Sequence, residues 1–211
     1  MKATPKSKIR DLYDSTADSY ARMMDTEIDL PLYSDVLGRL AERITAIRGP
    51  VLDTSCGSGH MLFRYREQYD PERSVVGVDL SPRMVSLARR KLGSQAEILV
   101  GDMRDLGRIE TASSAAVLSF FALHHLDPAD IVLALEEWRR ILRAGGQLVL
   151  ATWEGTGAID YGGDSDVVAL RYREREIRDW VGAAGFSVSR CVVEPVEGFP
   201  MDAVYLEGTQ E

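Results

Sequence analysis

The sequence predicts an α/β fold: a seven-stranded, mostly parallel sheet with an antiparallel last strand and helices on both faces. Three observations carry this expectation. From Pro50 onward, short apolar runs alternate with amphipathic stretches at a spacing that leaves room for the crossover helices parallel strands require. Several of those runs end in an acid or a small polar residue, as at Asp53, Asp79, Asp102 and Ser119. The last two apolar runs, near 186–193 and 203–206, are separated only by Glu194 to Asp202, too little chain for a crossover helix, so they are expected to pair antiparallel.

The elements follow in order. Ile9 to Asp25 interleaves Tyr13, Ser15, Ala17 and Tyr20 with Asp11, Asp14 and Asp18, and reads as a helix pair or a mobile cap. Val36, Leu37, Leu40, Ile44 and Ile47 recur at helical spacing after a possible Ser34 cap, and the pattern stops at Gly49-Pro50. Val51-Leu52 is a strand ending in Asp53; a small-residue turn with Gly57 and Gly59 then feeds a helix from Met61 to Tyr69. Such a turn brings a ligand close to backbone without Cβ atoms and aims helix N–H groups at it, which points to a nucleotide-like ligand.

Val75 to Val78 is the second strand, ending in Asp79. Ser81 caps the next helix, with Pro82 at its first position and Met84, Val85, Ala88 and Leu92 on its inner face. Ala96 to Val100 makes the third strand and Ala115 to Phe120 the fourth. Asp127-Pro128 starts a helix carrying Ile131, Leu135, Trp138 and Leu142, which Gly145-Gly146 is expected to stop. Leu148 to Thr152 is the fifth strand, and Ile177, Trp180, Val181 and Ala184 mark a last helix closed by Gly185.

At 211 residues the chain is expected to form a single domain: a helical cap over 1–48, a ligand-binding half over 50–152, and a lid segment, last helix and antiparallel strands over 153–211. Its net charge of −8, from 25 Lys and Arg against 33 acidic residues, disfavours a broad basic surface, so no nucleic-acid and no membrane partner is expected. No stretch has the length and apolarity of a signal-peptide core or a membrane span, which makes the cytoplasm the expected location. Cys56 and Cys191 lack ligand-like spacing and read as free thiols, and no metal is expected. The oligomeric state, monomer or homodimer, stays open.

In an open α/β sheet, ligands sit outside the carboxyl ends of the strands. Asp79 lies at about the distance beyond Asp53 at which an acid ending a second strand accepts from both hydroxyls of a ribose. Asp102 is placed to meet an exocyclic adenine amine, Leu80, Met84 and Met103 to sandwich the ring, and Asp53 suits an ammonium group. Position 62, where a dinucleotide fold prefers a third glycine, holds Leu62, and no phosphate-binding Gly-Lys-Ser/Thr occurs.

From about Pro50 to the C-terminus, the constellation resembles the class I S-adenosylmethionine-dependent methyltransferases. The residues carrying it are Val51-Leu52-Asp53-Thr54-Ser55-Cys56-Gly57-Ser58-Gly59, Val78-Asp79-Leu80-Ser81-Pro82-Arg83-Met84, Gly101-Asp102-Met103, Leu123-His124-His125-Leu126 and Leu142-Arg143-Ala144-Gly145-Gly146. Tyr13 to Met24 is similar to the cap of the small-molecule branch, which includes quinone C-methyltransferases and amino-sugar N-methyltransferases. Ser55 stands where the family loop commonly has its first glycine, and Ala144 where a proline often precedes the double glycine.

The resemblance implies a Rossmann-like methyltransferase fold, S-adenosylmethionine as cofactor and S-adenosylhomocysteine as product. It implies a methyl transfer to N, O, C or S of a small-molecule acceptor. Tyr20, Asp53, Ser55, Gly57, Gly59, Asp79, Leu80, Met84, Asp102, Met103 and Ser119 are the expected cofactor residues. His125 is the first candidate for general base or substrate orientation and His124 the second; closure of the loop over the cofactor is the competing reading. Tyr13 and Tyr20 are candidates to close over a cationic centre, against ordinary packing of an N-terminal helix. One of Phe120 and Phe121 is expected in the core and the other facing the substrate. His60 is expected to cap the glycine loop or pack near the sulfonium region, Asp127 to cap the helix at Pro128, and Arg171, Arg173 and Arg175 to form a solvated face. The rival function is a cofactor-binding regulatory or assembly partner without transfer activity.

Overall fold

A computed structural model describes residues 2–159 and 167–211. The expected lid over Trp153 to Tyr172 therefore falls partly outside the described residues. Helix α1 (Lys6–Glu27) and helix α2 (Pro31–Arg43) precede strand β1 (Val51–Asp53). There follow α3 (His60–Gln68), β2 (Val75–Asp79), α4 (Pro82–Leu92), β3 (Ala96–Val100), β4 (Ser114–Phe120), α5 (Pro128–Ile141), β5 (Leu142–Trp153), α6 (Glu174–Ala183), β6 (Phe186–Pro195) and β7 (Asp202–Gln210). The seven strands form one sheet in the order β3-β2-β1-β4-β5-β7-β6. Strand β7 runs antiparallel between β5 and β6, and the other pairings are parallel.

The alternation of side chains along the strands builds two cores. Leu52, Val117, Leu148 and Leu150 face α5 and α6 through Ile131, Trp138, Ile177 and Val181. Val51, Ala116, Leu118 and Val149 face α2, α3 and α4 through Leu37, Leu62 and Val85. The sheet is thus covered on both sides, which explains why its central strands are apolar along their whole length.

Four local expectations are corrected. The N-terminal stretch is one 22-residue helix rather than a pair. Ser34 lies inside α2, which Pro31 initiates; the Ser34 hydroxyl instead accepts from Arg64 and its carbonyl from the Tyr69 hydroxyl. Asp127 precedes α5 but makes no side-chain cap bond, because its Oδ1 accepts from the Ala3 backbone N–H at 2.8 Å. Gly145-Gly146 does not stop α5, which ends at Ile141. The pair sits within β5, where Ser114 opposes Leu142 and Ala116 opposes Gln147, so the intervening residues bulge out.

Candidate functional site

The C-terminal ends of β1 to β4 surround a cavity of about 270 Å³, roofed by the first turns of α1. Tyr13, Tyr20, Ser55, Gly57, Asp79, Leu80, Met84, Asp102, Met103 and His125 of the expected site residues line it. Asp53, Gly59, His124 and Ser119 do not line it.

The glycine turn follows directly from β1. Gly57 adopts φ +51°, which strains any residue with a Cβ, and a Cβ there would also stand a tight 3.3 Å from the Tyr20 ring of α1. Gly59 serves packing: with φ +87°, its missing Cβ makes room for Ala88 and Leu92 of α4. Ser55 Oγ is buried and has no hydrogen-bond partner among the described residues. Asp53 is 3% exposed and accepts from Ser55 N–H at 3.1 Å; burial pushes its carboxyl up to about 7.

Asp79 ends β2. Its Oδ2 accepts from Gly57 N–H at 2.8 Å and its Oδ1 from Ser81 N–H at 2.9 Å, while burial pushes the group up to about 6 against the pull of those bonds. Each oxygen keeps one lone pair, the arrangement that two vicinal hydroxyls need. Asp102, after β3, is occupied differently. Its Oδ1 accepts from the Arg104 backbone N–H (3.0 Å) and Nε (2.9 Å), and its Oδ2 from Arg104 Nη2 (2.7 Å) and Lys6 Nζ (3.2 Å). Burial raises the group, but the Arg104 and Lys6 contacts outweigh it and hold the carboxyl at about 2. All four acceptor positions of Asp102 are filled, by two cations that sequence reasoning did not single out. Lysine and arginine next to an acid are common enough that no local signal marks them. The loop is held further by Trp138 Nε1, which donates to the Met103 carbonyl at 3.2 Å.

On the β4 side, Tyr13 Oη lies 2.8 Å from His125 Nε2, the rings edge-on with centroids 5.5 Å apart. Burial pushes His125 down to about 4, so its ring is neutral near pH 7. His124 is 4% exposed, its ring centroid 3.9 Å from that of His125, and burial pushes it well below the ordinary histidine value. The His124 carbonyl accepts from Leu170 N–H at 2.7 Å and the Leu126 carbonyl from the Tyr172 hydroxyl, so the histidine turn is gripped by the chain beyond residue 167. Ser119 is fully buried. Both Phe120 and Phe121 line the cavity, whereas one was expected in the core. His60 closes the glycine turn from outside, its Nδ1 on Ser58 Oγ at 2.9 Å and its Nε2 on Asp25 at 2.7 Å. Arg173 and Arg175 are exposed, and Arg171 bonds the Thr156 carbonyl.

Cys56 and Cys191 are both free thiols. Among the described residues no three His, Cys, Asp or Glu side chains form a metal-holding group, and no helix is long and apolar enough to cross a membrane.

Residues 51–146 match the family described as methyltransferase domain. A carboxy-S-adenosyl-L-methionine synthase of Actinobacillus succinogenes is 33% identical over 65% of this chain and 59% of its own. This chain spans between 44% and 64% of the length of the curated relatives it matches. Two solved structures share the fold. One is the 1,6-didemethyltoxoflavin-N1-methyltransferase of Burkholderia thailandensis, solved with 1,6-didemethyltoxoflavin and S-adenosylhomocysteine: TM-score 0.76, 21% identity, 99% of this chain and 91% of that one. The other is the magnesium protoporphyrin IX methyltransferase of Synechocystis PCC 6803, solved with S-adenosylmethionine: TM-score 0.70, 19% identity, 98% and 97% covered.

Proposed function

We propose that the chain is an S-adenosylmethionine-dependent methyltransferase that methylates a nucleophilic atom of a small-molecule acceptor, releasing S-adenosylhomocysteine; the match of residues 51–146 to a methyltransferase domain supports this. The observation that carries the proposal is the convergence of Asp79, the Gly57 turn and the Tyr13–His125 pair on one cavity. The residues fit the cofactor. Asp79 has two lone pairs free for a ribose diol, and Leu80, Met84 and Met103 offer apolar surface for a purine. The orphaned Ser55 Oγ lies beside Asp53, where the amino-acid end belongs. Bound there, S-adenosylmethionine supplies an electrophilic methyl group.

The chain's own residues then orient the acceptor and take its proton. His125 is unprotonated near neutral pH, and the Tyr13 hydroxyl on its Nε2 extends its reach into the cavity. Tyr13 passes its proton to His125 as it receives the acceptor's. Alignment of acceptor and methyl group within the cavity supplies most of the acceleration. Titration calorimetry with S-adenosylmethionine and S-adenosylhomocysteine tests the reading, and binding of neither refutes it.

A second reading, formation of a carboxylated S-adenosylmethionine, is favoured by the name of the 33% identical relative. Mass spectrometry separates the two: methyl transfer leaves S-adenosylhomocysteine, carboxylation a heavier S-adenosylmethionine. Cofactor binding with no product in either assay supports the regulatory alternative.

A further inference from the structure

We propose that the acceptor is a flat, uncharged aromatic or heteroaromatic molecule, methylated on an O–H or N–H attached to its ring system. The proposal rests on the methyl-transfer reading above.

The sheet separates the two ends of the cavity. Asp102, Asp79 and the Gly57 turn follow β3, β2 and β1, and Phe120, Phe121 and His125 end or follow β4. Three strand spacings, ~14 Å, lie between β3 and β4, so the phenylalanines mark the end away from Asp102. That end is walled by fixed rings. Phe121 adopts φ +49°, a backbone conformation bulky residues rarely hold, and its N–H donates to the Ala151 carbonyl at 2.8 Å. The Phe121 ring packs 4.7 Å from Trp153 and edge-on to Tyr205 at 6.4 Å, with Phe120 at 6.4 Å. Tyr13 stands edge-on to both Tyr20 and His125. A strained aromatic residue fixed from behind and open to a cavity presents a ring face or edge for stacking.

The side-chain charges disfavour an anionic acceptor. Lys6 and Arg104 are the only cationic side chains lining the cavity among the described residues, and both are bound to Asp102, Arg104 also to Asp130 at 2.7 Å. Asp79 and Asp127 add further negative charge. A carboxylate or phosphate entering here loses its water and meets no free cation. The base agrees: held low by burial, His125 is matched to a proton made acidic by an attached ring rather than to an aliphatic alcohol. The ring heteroatom's lone pair forms the bond to the methyl carbon as the carbon–sulfur bond breaks, its electron pair going to sulfur. The heteroatom's proton passes to the Tyr13–His125 pair, and nothing is oxidised or reduced.

The test is calorimetry on the full chain saturated with S-adenosylhomocysteine, using three probes on one bicyclic skeleton: 2-naphthol, 2-naphthoate and the non-planar decahydro-2-naphthol. The expected result is that 2-naphthol binds at least about tenfold tighter than either other probe, and that Phe121→Leu weakens it about tenfold without changing affinity for S-adenosylhomocysteine. Phe120→Leu serves as the second variant should Phe121→Leu fail to fold. The proposal is overturned by equal or tighter binding of the naphthoate or the saturated alcohol. It is equally overturned by no probe binding to a chain that binds S-adenosylhomocysteine, or by an indifferent folded variant. Failure of S-adenosylhomocysteine itself to bind refutes the methyl-transfer reading instead.

Discussion

His125, Asp79 and Lys6 each make a distinct statement about the cavity. Replacing His125 by Asn removes the proposed base but keeps a polar side chain of similar reach. Turnover is expected to fall by about 10² to 10⁴ while affinity for S-adenosylhomocysteine stays within twofold. Unchanged turnover would return His125 to closing the loop. In the proposed binding mode Asp79 accepts from two ribose hydroxyls only as a carboxylate, and burial lifts its pKa to about 6. Below that value a proton occupies one of the oxygens that must receive the diol. Affinity for S-adenosylhomocysteine should therefore rise from pH 5 with a step near pH 6, whereas Asp79→Asn should bind weakly and lose that step, keeping only the one near pH 7 that the buried Asp53 contributes; calorimetry across pH decides it. Lys6 holds the last acceptor position of Asp102, its own side chain 56% exposed. If an adenine amine is to reach Asp102, Lys6 must yield. Lys6→Met is then expected to tighten S-adenosylhomocysteine several-fold but not its 6-oxo analogue, and equal tightening of both would detach Lys6 from adenine recognition.

At the scale of elements, α1 covers the cavity through Lys6, Ile9, Tyr13 and Tyr20. It is pinned at both ends: Lys6 on Asp102, Asp14 accepting from Ser81 Oγ and Arg83 N–H at the start of α4, and Asp25 joined to His60 and Lys91. Asp14→Ala removes the more buried of two central ties, leaving the exposed Asp18–Arg83 pair at 2.8 Å. Amide exchange in α1 is expected to accelerate about tenfold or more while that of β4 and β5 is unchanged, since hydrogen bonds to a charged group are worth about 1.5–3 kcal/mol. Uniform protection would mean that packing alone holds the helix. The clasp itself was hidden in the sequence. Asp14 and Asp25 are legible as helical acids, but their partners lie dozens of residues away. Asp127 shows the same limit: Asp-Pro reads locally as a cap, and the Ala3 N–H that claims its carboxylate is 124 positions earlier. The strands were easier to read, because β-branched runs ending in Asp53, Asp79 and Asp102 carry their boundary signal in the run itself. Gly145-Gly146 misled because a glycine pair that ends a helix and one that permits a bulge have the same composition.

Across the whole molecule, alternation and linker length made the parallel pairing and the antiparallel end legible but not the strand order, and it is that order which places the acids of β1 to β3 and the histidine turn after β4 around one mouth. The sequence did not disclose how the far side of the sheet is locked. Glu207 in β7 is 5% exposed and accepts from Arg39 Nε at 2.8 Å, with Arg43 Nη2 at 3.3 Å, tying α2 to the antiparallel strand. Both arginine side chains remain 35% exposed, so on losing their partner they regain water instead of standing as buried charges. Glu207→Leu should therefore cost about 1–3 kcal/mol, less than a fully buried pair would. For a chain of this length that lowers Tm by roughly 2–10 °C. Strand β5 separates β7 from β4, so affinity for S-adenosylhomocysteine should be unaffected. Scanning calorimetry and ligand titration on the same variant decide between two roles. A lowered Tm with unchanged affinity makes the cluster a fastener for the fold, whereas a loss of affinity would mean that α2 and the cavity move together.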